Sequence, residues 1–497
     1  MSAPRFHRLL RAELRLLLRE PLTWAILAML AAALCLGARI GAERVAAERA
    51  AIAAAAGDST RAVDAAKAAR ARYAQPGPLR VAYWQDPTHA FGYMHYFLAA
   101  YAVKPPTPLA ALAVGQADVQ PALTRVSFGF STVFDDTAYE PGSAATLRLG
   151  PFDLAFVLVH LVPLAVIALA GTRLSAEADA GILRLIAAQP VSPRAVAGAK
   201  FGAAALVAVG AVLGGTALAL AVTGALGPLA GWGTTGAGLA AALAAYTLFW
   251  VAACALAASL WRGAVAALTL LVLAWACLVV ALPAALGLVV DGLAPVPSRI
   301  AAIDASREAQ DRFYTGEAGP RIVAAWLAAR APEAEAKDPP ALRDAPEIKR
   351  LARDAFYDAA LAGHRDALQA RADAAAAWSA RLAPLSPATA LALALETAAG
   401  TDAGRHAAFL AAVSEHRRRL RAFFEPRILA QALRPAPVCA GCQARLDFDA
   451  YDAVPAFPAV LPAEAAARQA LLGAACLLAA ALALAALAYR RLGAWPA

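Results

Sequence analysis

Two cysteines in the sequence CAGC, Cys439 and Cys442, have the clearest potential for chemistry. Outside the cytoplasm such a close pair predicts a disulfide. A metal site is one alternative, because His406 and His416 precede the pair, but ten residues between them do not place them on adjacent helical turns. A redox site is the other alternative. The remaining cysteines lie in apolar segments, where cysteine acts as a small hydrophobe: Cys35, Cys254, Cys277 and Cys476.

The sequence shows no motif typical of nucleotide hydrolysis and few residues that could couple transport to an ion. There is no GxxxxGKS or GxxxxGKT motif, and no lysine follows a Gly-rich loop. Ion-coupled carriers usually need ionisable residues within their spans, and here only His160 lies deep in an apolar segment. We favour a neutral histidine bonded to a neighbouring helix over a functional one. We therefore predict no catalytic residues and no cofactor in this chain, and an external energy source.

Six apolar segments, each near or above the roughly 20 residues that cross a bilayer, must position these groups. The composition agrees, since only 16% of residues are charged, against about 25% in soluble proteins. We predict an α-helical integral membrane protein with transmembrane helices arranged one, four, one. The charges behind the net +9 are dispersed, which argues against nucleic acid. The predicted spans are 22–40, 152–170, 201–226, 234–260, 264–290 and 469–488.

Arginines beside the spans predict the orientation. They occur before the first span, in the loop 171–200 and after the last span, whereas the turn between spans three and four has none. Because positive residues stay in the cytoplasm, both termini are expected inside a bacterial inner membrane. The predicted parts are a cytoplasmic amphipathic helix (1–20), the first span (21–40), a first extracytoplasmic domain (41–150), four spans (151–290), a second extracytoplasmic domain (291–468), the sixth span (469–488) and a tail (489–497).

The two insertions differ in pattern. The first is predicted as mixed α and β, with a turn at 57–60, an aromatic stretch at 83–101 that favours a domain core over a ligand site, and a strand at 125–134. The second is predicted to be mainly helical, with one helix from 344 to 382 that prolines end and another over 402–424.

The loop 171–200 has the pattern of a docking element. Glu177 and Asp179 precede Gly181, which permits a sharp turn, and residues 182–189 are predicted to form two helical turns. Pro190 then ends this helix. A short helix with an apolar face needs a partner surface, and the alternatives are the bilayer or the chain's own spans.

The loop sequence LSAEADAGILRLIAAQPVSPRAVAGAK (174–200) resembles permease subunits of type-2 ABC exporters, in the subgroup with large outer insertions related to copper-maturation and gliding-motility permeases. KPPTPLAALAVGQADVQP (104–121) and APLSPATALALALETAAGTD (383–402) are also similar to that subgroup. Ile182 stands where the family has threonine, and Pro193 precedes the loop arginine. By this resemblance the ATPase-coupling residues are Glu177, Asp179, Gly181, Ile182, Leu183, Leu185, Ile186, Pro190 and Arg194.

The resemblance also implies partners: a separate cytoplasmic ATPase that binds ATP and Mg, and a second permease copy. The expected function is therefore ATP-driven export or movement of a substrate that the sequence does not identify. Two alternatives stay open. One is a mechanotransmission or assembly machine that acts on a periplasmic partner, and the other is a membrane sensor that binds a ligand outside.

Overall fold

A computed structural model describes residues 3–75, 81, 82, 84–115, 117, 120–126, 128, 152–189, 191–225, 232–260, 263–332, 339–434, 446–458 and 464–492. The chain is an α-helical membrane protein with little sheet. Six of its helices are long and apolar enough to cross a membrane, as the sequence predicted.

The described residues form fourteen helices of six residues or more and two short strands. The helices are α1 (Ala3–Arg19), α2 (Pro21–Tyr73), α3 (Leu154–Asp179), α4 (Ile182–Ala187), α5 (Pro193–Val222), α6 (Gly233–Leu260), α7 (Ala264–Leu293), α8 (Arg299–Tyr314), α9 (Ala318–Arg330), α10 (Pro339–Asp344), α11 (Pro346–Leu382), α12 (Pro387–Ala399), α13 (Ala403–Ala432) and α14 (Glu464–Leu492). The strands are β1 (Tyr101–Val103) and β2 (Leu123–Arg125). Short turns lie at Ala90–Gly92, Tyr93–Phe97, Ala110–Leu112, Ala383–Leu385 and Tyr451–Ala453.

The six candidate spans, α2, α3, α5, α6, α7 and α14, share one hydrophobic core. Helix α6 lies near its centre and packs along α14, α5 and α3, with Tyr246 and Trp250 fully buried. Small residues allow the close approach, since a Cβ at Gly238 would lie only 3.2 Å from the Cβ of Ala470 in α14. We call the ends of the spans nearest α4 the loop side, and the opposite ends the insertion side.

Helix α2 continues far beyond the first span. Its 53 residues extend over about 80 Å, whereas a hydrocarbon core is about 30 Å thick. The turn predicted at 57–60 is wrong, because the helix runs through it. The hydroxyls of Ser59 and Thr60 donate to the Ala55 and Ala56 carbonyls of their own helix, at 3.1 Å each, and so do not cap a new one.

Residues of both insertions pack around a second hydrophobic core. Tyr93, from the first insertion, has its ring centroid 5.1 Å from that of Phe448 and 4.9 Å from that of Tyr451, both from the second. The Ala90 amide donates to Gln431 Oε1 at 2.8 Å. The insertions therefore form a single packed unit, not two separate domains, and we call it the insertion unit.

Some of the sequence predictions for the insertion unit are confirmed by the structure, and others differ from it. In the aromatic stretch, Phe91 and Tyr93 are fully buried, as expected of a domain core, whereas Trp84 and Tyr96 are about half exposed. β1 and β2 pair antiparallel, so the first insertion does contain sheet, but β2 ends where the predicted strand 125–134 was to begin, and most of that range lies outside the described residues. Helix α11 ends at Leu382 as predicted, whereas α13 runs to Ala432, past the predicted end at 424.

Helix α12 packs among the spans although it is too short to cross a membrane. It has 13 residues, the length typical of a re-entrant or buried segment. Its N-cap hydroxyl, on Ser386, donates at 2.9 Å to the Leu278 carbonyl in the middle of α7. Ala388, Leu391 and Leu395 are buried in the span core. The chain thus descends along α11, turns at mid-span and returns along α12.

Two glycines one helical turn apart bring α2 against the chain. A Cβ at Gly37 would lie 2.7 Å from the Asp153 carbonyl oxygen, and one at Gly41 would lie 2.1 Å from the Ala111 carbonyl oxygen. Neither glycine has an unusual φ angle, so the requirement for glycine here is steric.

Gly41→Ala is therefore expected to destabilise the protein by about 1–3 kcal/mol, because the methyl group forces α2 away from Ala111. Gly57→Ala in the same helix is the matched control. Its Cβ would meet only the flexible Arg61 side chain, and alanine favours helix by about 1 kcal/mol. Thermal unfolding in detergent should show a lowered midpoint for the first variant and no decrease for the second. Equal midpoints would contradict the close approach.

Candidate functional site

The structure contains a short helix where the sequence predicted one, after Gly181. Helix α3 ends at Asp179, and Gly181 adopts a left-handed φ of +73°, a conformation that glycine reaches without a Cβ penalty. Helix α4 follows with six residues, Ile182–Ala187, two fewer than the predicted range. Pro190 lies outside the described residues.

The apolar side chains of α4 divide between solvent and the spans. Leu185 is 72% exposed and Ile182 is 43% exposed, and their spacing of three places them on one helical face. Leu183 packs against the span core, and Ile186 is half-buried. The exposed pair is thus Ile182 and Leu185, and a six-residue helix with such a face is marginal alone.

Glu177 points into the protein. The Lys200 ammonium of α5 lies 2.7 Å from Glu177 Oε1 and 2.8 Å from Glu13 Oε1 of α1. Lys200 is only 6% exposed, and Glu177 Oε2 is buried with no hydrogen-bond partner among the described residues. One cation therefore joins α1, α3 and α5, and we call these three residues the Lys200 cluster.

Asp179 and Arg173 connect α3 to further helices. Asp179 Oδ2 accepts a hydrogen bond of 2.8 Å from the Ala264 amide, so it caps the start of α7 and complements its dipole. Arg173 pairs with Glu20, which lies between α1 and α2. The end of α3 that leads into α4 is thereby attached to α1, α2, α5 and α7.

Arg194 lies in a different place from α4. Its Nε donates to the Tyr489 carbonyl at 3.2 Å, and its guanidinium lies 4.7 Å from the Tyr489 ring centroid. Arg194 therefore joins the start of α5 to the last turns of α14. Ser192 caps α5, accepting from the Ala195 amide at 3.3 Å.

His160 lies in a π-helical turn, Val157–Leu161, near the start of α3. Its Nδ1 lies 3.2 Å from the Phe156 carbonyl of its own helix, and its backbone carbonyl accepts a 3.1 Å hydrogen bond from Trp275 Nε1 of α7. We expected the His160 ring to bond to a neighbouring helix. The ring instead bonds within α3, and the bond to α7 is made by the His160 backbone carbonyl.

Each π-helical turn in the spans is followed by a proline. Pro163 follows the turn in α3, and Pro283 follows Ala276–Ala281 in α7. Proline has no N–H to donate to the preceding turn. Tyr246 OH donates to the Val159 carbonyl at 2.7 Å, beside the first proline. Sequence reasoning missed Tyr246 and Trp275, and a proline inside an apolar run was the available signal.

The predicted metal-ligand candidates His406 and His416 lie in the insertion unit. Lys104 Nζ is 3.5 Å from His406 Nδ1, and burial lowers the pKa of His406 to about 4 and that of Lys104 to about 8. Burial likewise lowers the pKa of His416, which packs against Phe457, to about 4. No three His, Cys, Asp or Glu side chains among the described residues form a metal site. Cys439 and Cys442 lie outside those residues.

Comparison with known proteins assigns no activity. Residues 301–435 match a family described as a domain of unknown function (DUF3526). No curated protein matches the chain. No solved structure matches it. The matched region begins in α8, ends after α13 and includes the re-entrant helix α12.

The Lys200 cluster leads to a stability prediction. Lys200→Met removes the shared cation and leaves two partly buried carboxylates, 12% and 27% exposed, without compensation, which is expected to cost about 1–3 kcal/mol. Arg321→Met breaks a pair whose side chains are 78% and 83% exposed, and it should cost less than about 1 kcal/mol. Thermal unfolding in detergent measures both. Similar midpoints for the two variants would argue against the cluster as a structural connection.

Proposed function

We propose that this chain is the membrane subunit of an ATP-driven transporter and that a separate cytoplasmic ATPase docks on α4. The observation that carries this proposal is the exposed pair of Ile182 and Leu185 on a short helix at the end of a span. Because α4 follows the end of α3 after only two residues, a force on the exposed face of α4 would be transmitted to the spans. The resemblance of the loop sequence to type-2 ABC exporter permeases supports the same assignment.

The proposed orientation places the loop side in the cytoplasm of a bacterial inner membrane. Arginine-rich α1 contacts the loop side through Glu13, and the last turns of α14 contact it through Tyr489. Helix α1 and the last turns of α14 therefore lie on the side where α4 lies, which agrees with an even number of spans. The insertion unit then faces outward as an extracytoplasmic domain.

The proposed mechanism starts at the ATPase, which binds ATP and Mg, whereas this chain supplies the moving spans. Closure of two ATPase copies, each docked on one permease copy, would press on α4. The Lys200 cluster, the Asp179 cap and the Arg173–Glu20 pair would pass that displacement to α5, α7 and α2. The π-helical turns in α3 and α7 are the proposed bending points, since such turns interrupt the regular ladder.

A mechanotransmission machine is the second candidate. The observation that favours it is the unbroken helix α2, which enters the insertion unit and is held there by Lys67, 2.7 Å from Asp452. In that case the insertion unit would act on a periplasmic partner, and nothing would cross the spans. ATP-dependent accumulation of a candidate substrate in inverted vesicles would separate transport from mechanotransmission. A ligand-binding sensor would need no ATPase.

Docking can be tested with the paired substitution Ile182→Asp and Leu185→Asp. Burying one such side chain is worth about 1.5–3 kcal/mol, so the double change should weaken the complex at least about tenfold. The ATPase that co-purifies with the wild type should be lost, while membrane insertion is retained.

Leu433→Asp is the control for this substitution. Leu433, the residue that follows α13 in the insertion unit, is 46% exposed and far in sequence from α4. It should leave the ATPase at wild-type stoichiometry. Retention of the ATPase by the α4 variant would exclude α4 as the docking site. Absence of any co-purifying ATPase from the wild type would favour the sensor.

The orientation leads to a labelling prediction. A cysteine placed at Glu317, whose side chain is 83% exposed, should react with a membrane-impermeant thiol reagent in intact spheroplasts. A cysteine at Ala188, which is exposed beside α4, should react only after the membrane is opened. The unsubstituted protein gives the background from its native cysteines. The reverse pattern would contradict both the orientation and ATPase docking.

A further inference from the structure

An apolar groove of about 260 Å³ lies on the span surface between α5, α6 and α14. Its walls include Phe201, Val251 and Leu482, and alanines line much of the rest. Leu482 is 61% exposed, so the groove opens to the surroundings of the spans. No function described above uses this groove.

One cationic side chain stands at the loop-side end of the groove. Arg194 lines it and rests on the ring of Tyr489, with its Nε engaged by the Tyr489 carbonyl. Among the described residues Arg194 forms no ion pair with a carboxylate. The backbone and the ring fix its planar fork, and the two Nη groups stay available.

We propose that this groove binds one anionic phospholipid, with an acyl chain between α5 and α14 and the phosphate on Arg194. The charge and the shape agree: a long apolar slot ends in a guanidinium, the group that matches phosphate in a bidentate manner. Basic pockets between spans on the cytoplasmic side are typical lipid headgroup sites. The apolar walls exclude free phosphate as the natural occupant.

The guanidinium at the end of the groove favours a phospholipid over a transmembrane helix of another subunit, because an apolar helix carries no anion to pair with it. A bound lipid would join the start of α5 to the end of α14, and it would therefore stabilise the folded chain by mass action.

The lipid site can be tested on the purified chain without any ATPase, so its failure and that of α4 docking are distinguishable. Native mass spectrometry and thermal unfolding in detergent are measured with added phosphatidylglycerol, phosphatidylcholine or inorganic phosphate. The wild type should retain one phosphatidylglycerol and gain stability from it, more than from phosphatidylcholine, and gain none from phosphate.

Two pairs of variants separate headgroup from acyl chain. Arg194→Gln should weaken phosphatidylglycerol binding at least about tenfold and remove the preference over phosphatidylcholine. Arg490→Gln should not, because Arg490 lies in the last turn of α14 but does not line the groove. Ala485→Phe fills the groove and should abolish retention of both lipids. Ala486→Phe is its control, because Ala486 is exposed but does not line the groove.

Three outcomes would overturn the proposal. The first is phosphatidylglycerol retention by Arg194→Gln and Ala485→Phe equal to that of the wild type. The second is equal retention of both lipids by the wild type. The third is a change of oligomeric state in Ala485→Phe with lipid retention unchanged, which would make the groove a contact between copies of the chain.

Discussion

The lack of water in a bilayer constrains this structure more than any single contact. Every backbone carbonyl in the spans needs a partner within the protein. Two of the spans contain a π-helical turn followed by a proline, and at these turns the regular hydrogen bonding of the helix is interrupted. Tyr246, Trp275 and Ser386 donate side-chain hydrogen bonds to backbone carbonyls there. These bonds connect α6 and α7 to α3, and the start of α12 to α7.

A second constraint acts at the loop side, where charges are buried beside the spans. Lys200 is almost fully enclosed and is tolerated because two carboxylates contact it. The three partners come from α1, α3 and α5, so none of these helices can shift alone without separating a buried pair. This makes the loop-side ends move together, and it leaves α4, which contributes nothing to the cluster, as the part with a free apolar face.

The spans were predictable from sequence because a long apolar run has few other uses. The turn at Gly181 was predictable because a turn before a short helix needs a residue that adopts a left-handed conformation. Other features depend on contacts between distant parts of the chain. Ser59 reads as a helix cap, but its hydroxyl bonds backward, and it also donates to Ala99 at 2.6 Å. Glu177 reads as a rim charge until Lys200 is placed beside it. No local sequence pattern indicates that the two insertions share a core. The same is true of the 13-residue helix that re-enters the span core.

The glycine contacts of α2 give this helix the geometry of a lever. Gly41 is pressed against Ala111 and acts as the fulcrum. The arm from Gly41 to Pro21 is about 30 Å long, and the arm to Tyr73 is about 48 Å, at 1.5 Å per residue. The short arm begins beside Glu20, which pairs with Arg173 of α3. A displacement of about 1 Å at that end becomes about 1.6 Å at Tyr73, in the opposite direction. A rigid α2 that tilted about Gly41 would therefore amplify a displacement between the two sides of the chain without a moving loop.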